Sequence, residues 1–159
     1  MSSNLSKSAG KVQTALKELG FELNIIELSD SARTAQEAAD AIGCSVSQIA
    51  KSLIFKGKIS QKPILIVASG TNRVNEKAVK EHIGEKLEKA DADFVLEHTG
   101  FAIGGIPPIG HKTAITTLID EDLMQYEEIW AAAGTPHAIF KLTPKILTEI
   151  TQGDIICVK

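Results

Sequence analysis

Apolar side chains at Val12, Leu16 and Leu19, set between Lys7, Lys11, Lys17 and Glu18, fall on one face of a helix. They predict a helix over 8–19, stopped by Gly20. Residues 21–28 are rich in branched side chains and predict a strand. Thr34 and Glu37 stand at capping-box spacing before a helix over 35–42 that Gly43 ends. Ser45 and Gln48 repeat that spacing and predict a second, shorter helix through Ile49 and Ala50. The first expectation for both capping hydroxyls is a structural one.

Strand signals at 51–56 and 63–68 flank a turn at 57–62 and predict a hairpin. The second is apolar throughout, as in a central strand buried on both faces. A helix over 75–82 turns Val79 and Ile83 inward, 86–90 is a short strand, and Asp91 opens a helix that Gly100 closes. Residues 113–119 alternate and predict a strand, followed by a short helix over 120–125. Strands over 128–133 and 137–142 pair across Gly134-Thr135-Pro136. Thr143-Pro144 caps a helix over 145–150, and 155–158 is the last strand. Hairpins mixed with helical insertions predict an α+β class, with one compact domain over 1–159 and a largely antiparallel or mixed sheet.

Composition narrows the function. A chain of 159 residues with 43% apolar content can bury a proper core. Its net charge of −3 argues against a surface that grips duplex nucleic acid along its whole length, so DNA is not an expected partner. A local basic patch around one terminal nucleotide remains compatible with that charge. No apolar run approaches the roughly 20 residues of a membrane helix. The first residues lack the apolar core of a secretory signal, so a cytoplasmic location and no membrane partner are expected. Cys44 and Cys157 are isolated from each other. Cys44 as a nucleophile is the less expected alternative to a small, partly buried residue.

Two places resist an ordinary packing explanation. Residues 101–111 read Phe-Ala-Ile-Gly-Gly-Ile-Pro-Pro-Ile-Gly-His. Gly104, Gly105 and Gly110 permit a close approach to the main chain, and Pro107 and Pro108 stiffen it. Such a loop suits an oxyanion, a carbonyl or a phosphate; the alternative is a rigid turn between helix and strand. The second place is Lys51, which opens an apolar strand beside Ile49, Leu53 and Phe55. It is either a snorkelling side chain or a fixed positive charge over a ligand.

Familiar catalytic patterns are missing. There is no Gly-x-Ser-x-Gly elbow, His-Glu-x-x-His pair or phosphate-binding Gly-x-x-x-x-Gly-Lys. His82, His98, His111 and His137 are scattered, so no metal is expected.

Arg33-Thr34-Ala35, the run Gln48–Phe55 around Lys51, residues 99–111, and Ala133-Gly-Thr-Pro-His137 occur in this order and together resemble the YbaK/EbsC family. These are free-standing relatives of the editing domain of bacterial prolyl-tRNA synthetase. The resemblance runs from about Ser8 to the C-terminus. It implies a compact α+β domain whose mixed, barrel-like sheet is flanked by helices. It also implies hydrolysis of the ester joining a wrong amino acid to the terminal adenosine of tRNA, without a cofactor. By that resemblance Lys51, Gly104 and Gly105 carry catalysis. Thr34, Ser52, Ile106, Pro107, Pro108, His111 and His137 contact substrate, His137 against the amino acid side chain. His111 has an alternative role, closing the loop against the next strand. The loop backbone holds the aminoacyl carbonyl. Attack in this family is thought to be assisted by the substrate, through a ribose hydroxyl or a cysteine thiol.

This chain departs from some members at two points. Ser52 stands where some alanine-editing members carry asparagine, and Pro107 where some cysteine-editing members carry a small polar residue. The expected substrates are therefore tRNAs mischarged with alanine, serine, threonine or cysteine, with proline excluded by size. The acceptor end of tRNA is the expected partner, with an aminoacyl-tRNA synthetase as a further candidate. Lys56, Lys77, Lys80 and Lys112 are candidates to steer the acceptor stem, the alternative being a solvated surface. Two other functions compete with deacylation: a non-catalytic module that binds aminoacyl-adenosine or a synthetase, and a metal-dependent hydrolase.

Overall fold

The computed structural model describes residues 6–159. Helix α1 (Lys7–Glu18) begins where the Ser6 hydroxyl accepts from the Ala9 amide, and it buries Ala9, Val12 and Leu16. Strand β1 (Ile25–Glu27) is shorter than the 21–28 expected from composition, because only three residues find partners on β7. Helix α2 (Ala35–Ile42) starts with the predicted Thr34–Glu37 capping box and ends at Gly43 in the left-handed region. The second predicted helix is a single 3-10 turn, Val46–Gln48. Ile49 and Ala50 belong instead to strand β2 (Ile49–Gly57), where sheet pairing overrides the local cap.

Strand β3 (Pro63–Ser69) completes the predicted hairpin and is buried from Ile64 onward. Helix α3 (Glu76–Ile83) follows the Asn75 cap, strand β4 (Leu87–Lys89) is short, and helix α4 (Ala92–Thr99) runs from the Asp91 cap to Gly100. Strand β5 (Thr116–Asp120) leads into a 3-10 turn over Glu121–Gln125, where a helix was predicted. Strands β6 (Ile129–Ala132) and β7 (Ala138–Leu142) pair antiparallel as expected. Helix α5 (Pro144–Thr151), capped by Thr143, and strand β8 (Asp154–Ile156) complete the fold.

The sheet is mixed, in the order β1-β7-β6-β2-β3-β5-β8, with β4 as a side branch on β2. One face carries Ile25, Ala131, Phe140, Ala50, Val67 and Ile119 into a single core shared with α1 and α5. Six neighbouring strands, β1, β7, β6, β2, β3 and β5, thus contribute to one cluster, and the mixed sheet with its helices forms the single compact domain expected. The other face of β3 and β5 packs Ile64, Ile66 and Leu118 with Val79 of α3. Fully burying side chains of this size is worth roughly 1.5–3 kcal/mol each. No helix of the described residues is long and apolar enough to cross a membrane.

Candidate active site

Strand β2 loses one neighbour in its middle. On the side away from β3, it pairs with β6 only through Ile49 and Ala50, and with β4 only from Phe55 to Gly57. Residues 51–54 therefore have a strand on one side alone. The alternation of hydrogen bonds fixes which groups face the gap. The Gly57 amide donates to Lys62 O on the β3 side, and the Lys58 amide to Lys86 O on the β4 side. Counting back by twos, Ser52 and Ile54 turn their backbone N–H and C=O toward the gap.

A cleft of about 760 Å³ occupies this split. Its walls come from Thr34 and Ala38 around α2, Lys51–Phe55 of β2, Val95 of α4, Ile103, Gly104 and Ile106 of the turn, and Ala131 of β6. The lining is mostly apolar with a few polar groups, the usual make-up of a small-ligand site. Ile106 joins Ala90 and Val95 in a small buried cluster with Ile54 and Phe94 alongside, and this forms one apolar wall.

Lys51 and Gly104 both line the cleft. The Lys51 ammonium donates to the carbonyl oxygen of Gly70 at 3.4 Å. Burial pushes its pKa below the ordinary lysine range; Asp120 opposes that shift and Arg73 adds to it. Asp120 is itself buried, accepting from the Ser69 amide at 3.0 Å and the Asn72 side chain at 2.7 Å. Asn72 also donates to Asp122, which pairs with Lys159. The loop that presents Gly70 to Lys51 is thus fixed by a buried carboxylate.

The glycine-rich segment divides into two halves with different tasks. The Gly105 amide donates to Ala102 O at 3.3 Å and closes a turn with Gly104 at φ 103°, the position where such turns favour glycine. The amides of Gly104 and Ile106 donate to no described residue. Gly105 faces the other way. A Cβ there would lie 2.5 Å from the Thr135 carbonyl carbon, and Gly105 O accepts from the Gly134 amide at 2.9 Å.

Of the residues expected to touch substrate, Thr34, Ser52 and Ile106 join Lys51 and Gly104 in the lining. The Thr34 hydroxyl is committed to its capping box. The Ser52 hydroxyl is buried without a hydrogen-bond partner among the described residues. Gly105, Pro107, Pro108, His111 and His137 lie outside the lining. Pro107 and Pro108 are buried behind the turn. His111 Nε2 lies 2.7 Å from Pro107 O, which ties the loop to the start of the next segment, and burial lowers the pKa of the ring. The exposed His137 meets Asp30 O through Nδ1 at 3.2 Å, while its carbonyl accepts from Leu28. It therefore holds the segment between β1 and Arg33 in place.

Arg33 carried no expectation of its own, yet it lines the cleft and lies across Gly104. Cys44 does not line the cleft, and burial raises its thiol pKa, which disfavours a thiolate. Lys56, Lys77, Lys80 and Lys112 are also outside the lining; Lys56 sits 5.3 Å from the Phe94 ring centre.

Comparison with known proteins places the chain in a family. Residues 29–150 match the model of the aminoacyl-tRNA editing domain. The chain is 35% identical over 148 residues to YwhH of Bacillus subtilis (strain 168), covering 93% of this chain and 94% of that one. It is 27% identical over 126 residues to EbsC of Enterococcus faecalis (strain ATCC 700802 / V583), covering 79% and 76%. EbsC carries the provisional name of a Cys-tRNA(Pro)/Cys-tRNA(Cys) deacylase. A crystal structure provisionally described as a trans-editing enzyme for prolyl-tRNA synthetase superposes with a TM-score of 0.93 at 46% identity, covering 98% of this chain and 99% of that one. From Ser29 to Ile150, around a cleft that joins Lys51 to the Gly104 turn, this chain belongs to the aminoacyl-tRNA editing domain family, the family of YbaK and EbsC.

Proposed function

We propose that this protein is an aminoacyl-tRNA deacylase acting in trans on tRNA mischarged with a small amino acid: alanine, serine, threonine or cysteine. The observation that carries this reading is the meeting of Lys51 and the Gly104 turn across one cleft. The aminoacyl ester enters the split in the sheet. Its carbonyl oxygen takes the free amides of Gly104 and Ile106, which stabilise the oxyanion as water adds. Lys51 supplies a fixed positive charge beside that oxygen or the adjoining ribose. Preorganised donors of this kind are worth roughly 3 kcal/mol each in other enzymes.

No carboxylate or imidazole lines the cleft. In this reading, which follows the family resemblance, a ribose hydroxyl next to the ester relays the proton of the attacking water to the leaving ribose oxygen; with cysteine, assistance by the substrate's own thiol is the alternative. The ester C–O bond breaks, giving a free amino acid and the terminal ribose hydroxyl. Selectivity is steric: Ile54, Val95 and Ile106 narrow the apolar wall, and one methylene changes acceptance by roughly 10- to 200-fold.

Single-turnover deacylation of alanyl-, seryl-, threonyl- and cysteinyl-tRNA tests the proposal. Hydrolysis of at least one, with prolyl-tRNA spared, is expected. Tight binding of an aminoacyl-adenosine analogue with no hydrolysis of any of the four identifies a binding module instead, and activity abolished by chelation identifies a metal-dependent hydrolase.

A further inference from the structure

The charges along the cleft have one sign. Its charged lining residues are Arg33, Lys51 and Lys89, with no aspartate or glutamate among them. This holds in a chain whose net charge is −3, so the cations are concentrated against the overall balance. The chain has two arginines, Arg33 and Arg73. Arg33 lines the cleft, and Arg73 stands in the loop that begins at Ser69 and presents Gly70 to Lys51. Neither guanidinium forms an ion pair or hydrogen bond with any described residue.

Arg33, though exposed, also lies against the turn. A Cβ on Gly104 would lie 2.9 Å from its Cγ and 2.9 Å from its Nε, so the side chain lies flat over the glycine. Behind it, the Ala32 amide donates to Pro136 O at 2.5 Å and the Arg33 amide to the Ser31 hydroxyl at 3.2 Å. A planar guanidinium on an anchored backbone, with its fork free, matches the paired oxygens of a phosphate. Lys51 is spoken for by Gly70 and the ester end of the site, which leaves Arg33 as the cation nearest the Gly104 turn without a partner.

We infer that Arg33 is the phosphate clamp of the cleft, binding the 5′-phosphate of the terminal nucleotide and so fixing the ester against the Gly104 turn. The inference rests on the deacylase reading for the identity of the nucleotide. It assigns Arg33 a specificity for tRNA ends over free amino acid esters. The clamp acts on binding, while the bond-breaking step belongs to the turn and Lys51.

The test uses probes that differ only in the phosphate. Adenosine 5′-monophosphate and adenosine are titrated into the wild type, Arg33→Gln, Arg33→Lys and, as a distant control, Lys145→Ala. The wild type and the control are expected to prefer the monophosphate by about 10-fold, the value of one charge-assisted contact. Arg33→Gln loses the preference while keeping its affinity for adenosine, and Arg33→Lys retains part of it. In deacylation, Arg33→Gln lowers kcat/KM for the aminoacyl-tRNA about 10-fold, and lowers it by less for aminoacyl-adenosine, which lacks the phosphate. Equal binding of the two probes to the wild type, or a preference that survives in Arg33→Gln, overturns the inference. An Arg33-dependent preference in a protein that hydrolyses no aminoacyl ester upholds the clamp and overturns the deacylase reading.

Discussion

Lys51 donates its ammonium to the carbonyl oxygen of Gly70 across the head of the cleft, at 3.4 Å. That contact ties the one charged residue of the half-paired stretch 51–54 of β2 to a loop held by buried Asp120. The position of Lys51 is therefore set from behind as well as by its own strand.

Removing the charge tests its part in the reaction. Lys51→Ala should lower the single-turnover rate by about 100-fold, in the range found when an electrostatic donor to a developing oxyanion is deleted. The pH profile carries a second signature. The folded-state pKa of Lys51 lies below the ordinary 10.5, chiefly through burial. Activity that needs the ammonium is full below that folded-state value and falls as pH rises through it. The contribution of Lys51 to stability runs the other way, rising with pH between the folded value and 10.5.

Asp120 should matter for both stability and this profile. Asp120→Ala leaves the buried Ser69 amide and the Asn72 side chain without their shared acceptor. A loss of about 3 kcal/mol is expected, read from the urea midpoint. It also removes the one carboxylate that holds the Lys51 pKa up. The alkaline limb of the rate profile should then move to lower pH, a shift that simple loosening of the fold would not produce.

How much of this was legible beforehand differs from feature to feature. Helix ends were, because Thr34, Asp91 and Thr143 cap within three residues of themselves. Lys51 and the glycine-proline segment also stood out, being costly or unusual in their own neighbourhoods. Ile49 and Ala50 were misassigned because their pairing with Trp130 and Ala131 is invisible to a local cap signal. The split beside Ser52 depends on which strands reach the far edge of β2, and nothing in the β2 sequence states that. Arg33 escaped for the same reason, since its partner in space is Gly104.

The two neighbouring glycines should separate under substitution. Gly105→Ala forces a Cβ against the Thr135 backbone and should cost about 3 kcal/mol. Gly104→Ala meets only the flexible Arg33 side chain but places a Cβ at φ 103°. It should cost about 1–2 kcal/mol while displacing Arg33 and lowering activity more than the stability change accounts for. Thermal melts and deacylation rates on both variants check the contrast.

His111 predicts an acid sensitivity. Its folded-state pKa is below 6.5 because burial disfavours the imidazolium, against a smaller opposing effect of Pro107 O. Its contribution to stability is present above pH 6.5 and declines as pH falls from there toward the folded-state value. The melting temperature of His111→Gln should therefore drop less than that of the wild type between neutral and mildly acidic buffer.

Ser52 offers a test of selectivity without a stability penalty. Its hydroxyl has no partner among the described residues, so Ser52→Ala should change stability by about 1 kcal/mol or less. If the buried hydroxyl of this lining residue reaches the substrate, the ratio of seryl- to alanyl-tRNA hydrolysis should shift toward alanine. An unchanged ratio would place the hydroxyl away from the amino acid.

The most direct measurement is single-turnover hydrolysis of alanyl-, seryl-, threonyl-, cysteinyl- and prolyl-tRNA by the wild type and by Lys51→Ala, side by side. A deacylase built on Lys51 and the Gly104 turn cleaves at least one of the first four, spares prolyl-tRNA, and slows about 100-fold in the variant. Full activity of Lys51→Ala on the same substrate, or no hydrolysis of any of the four by the wild type, would contradict it.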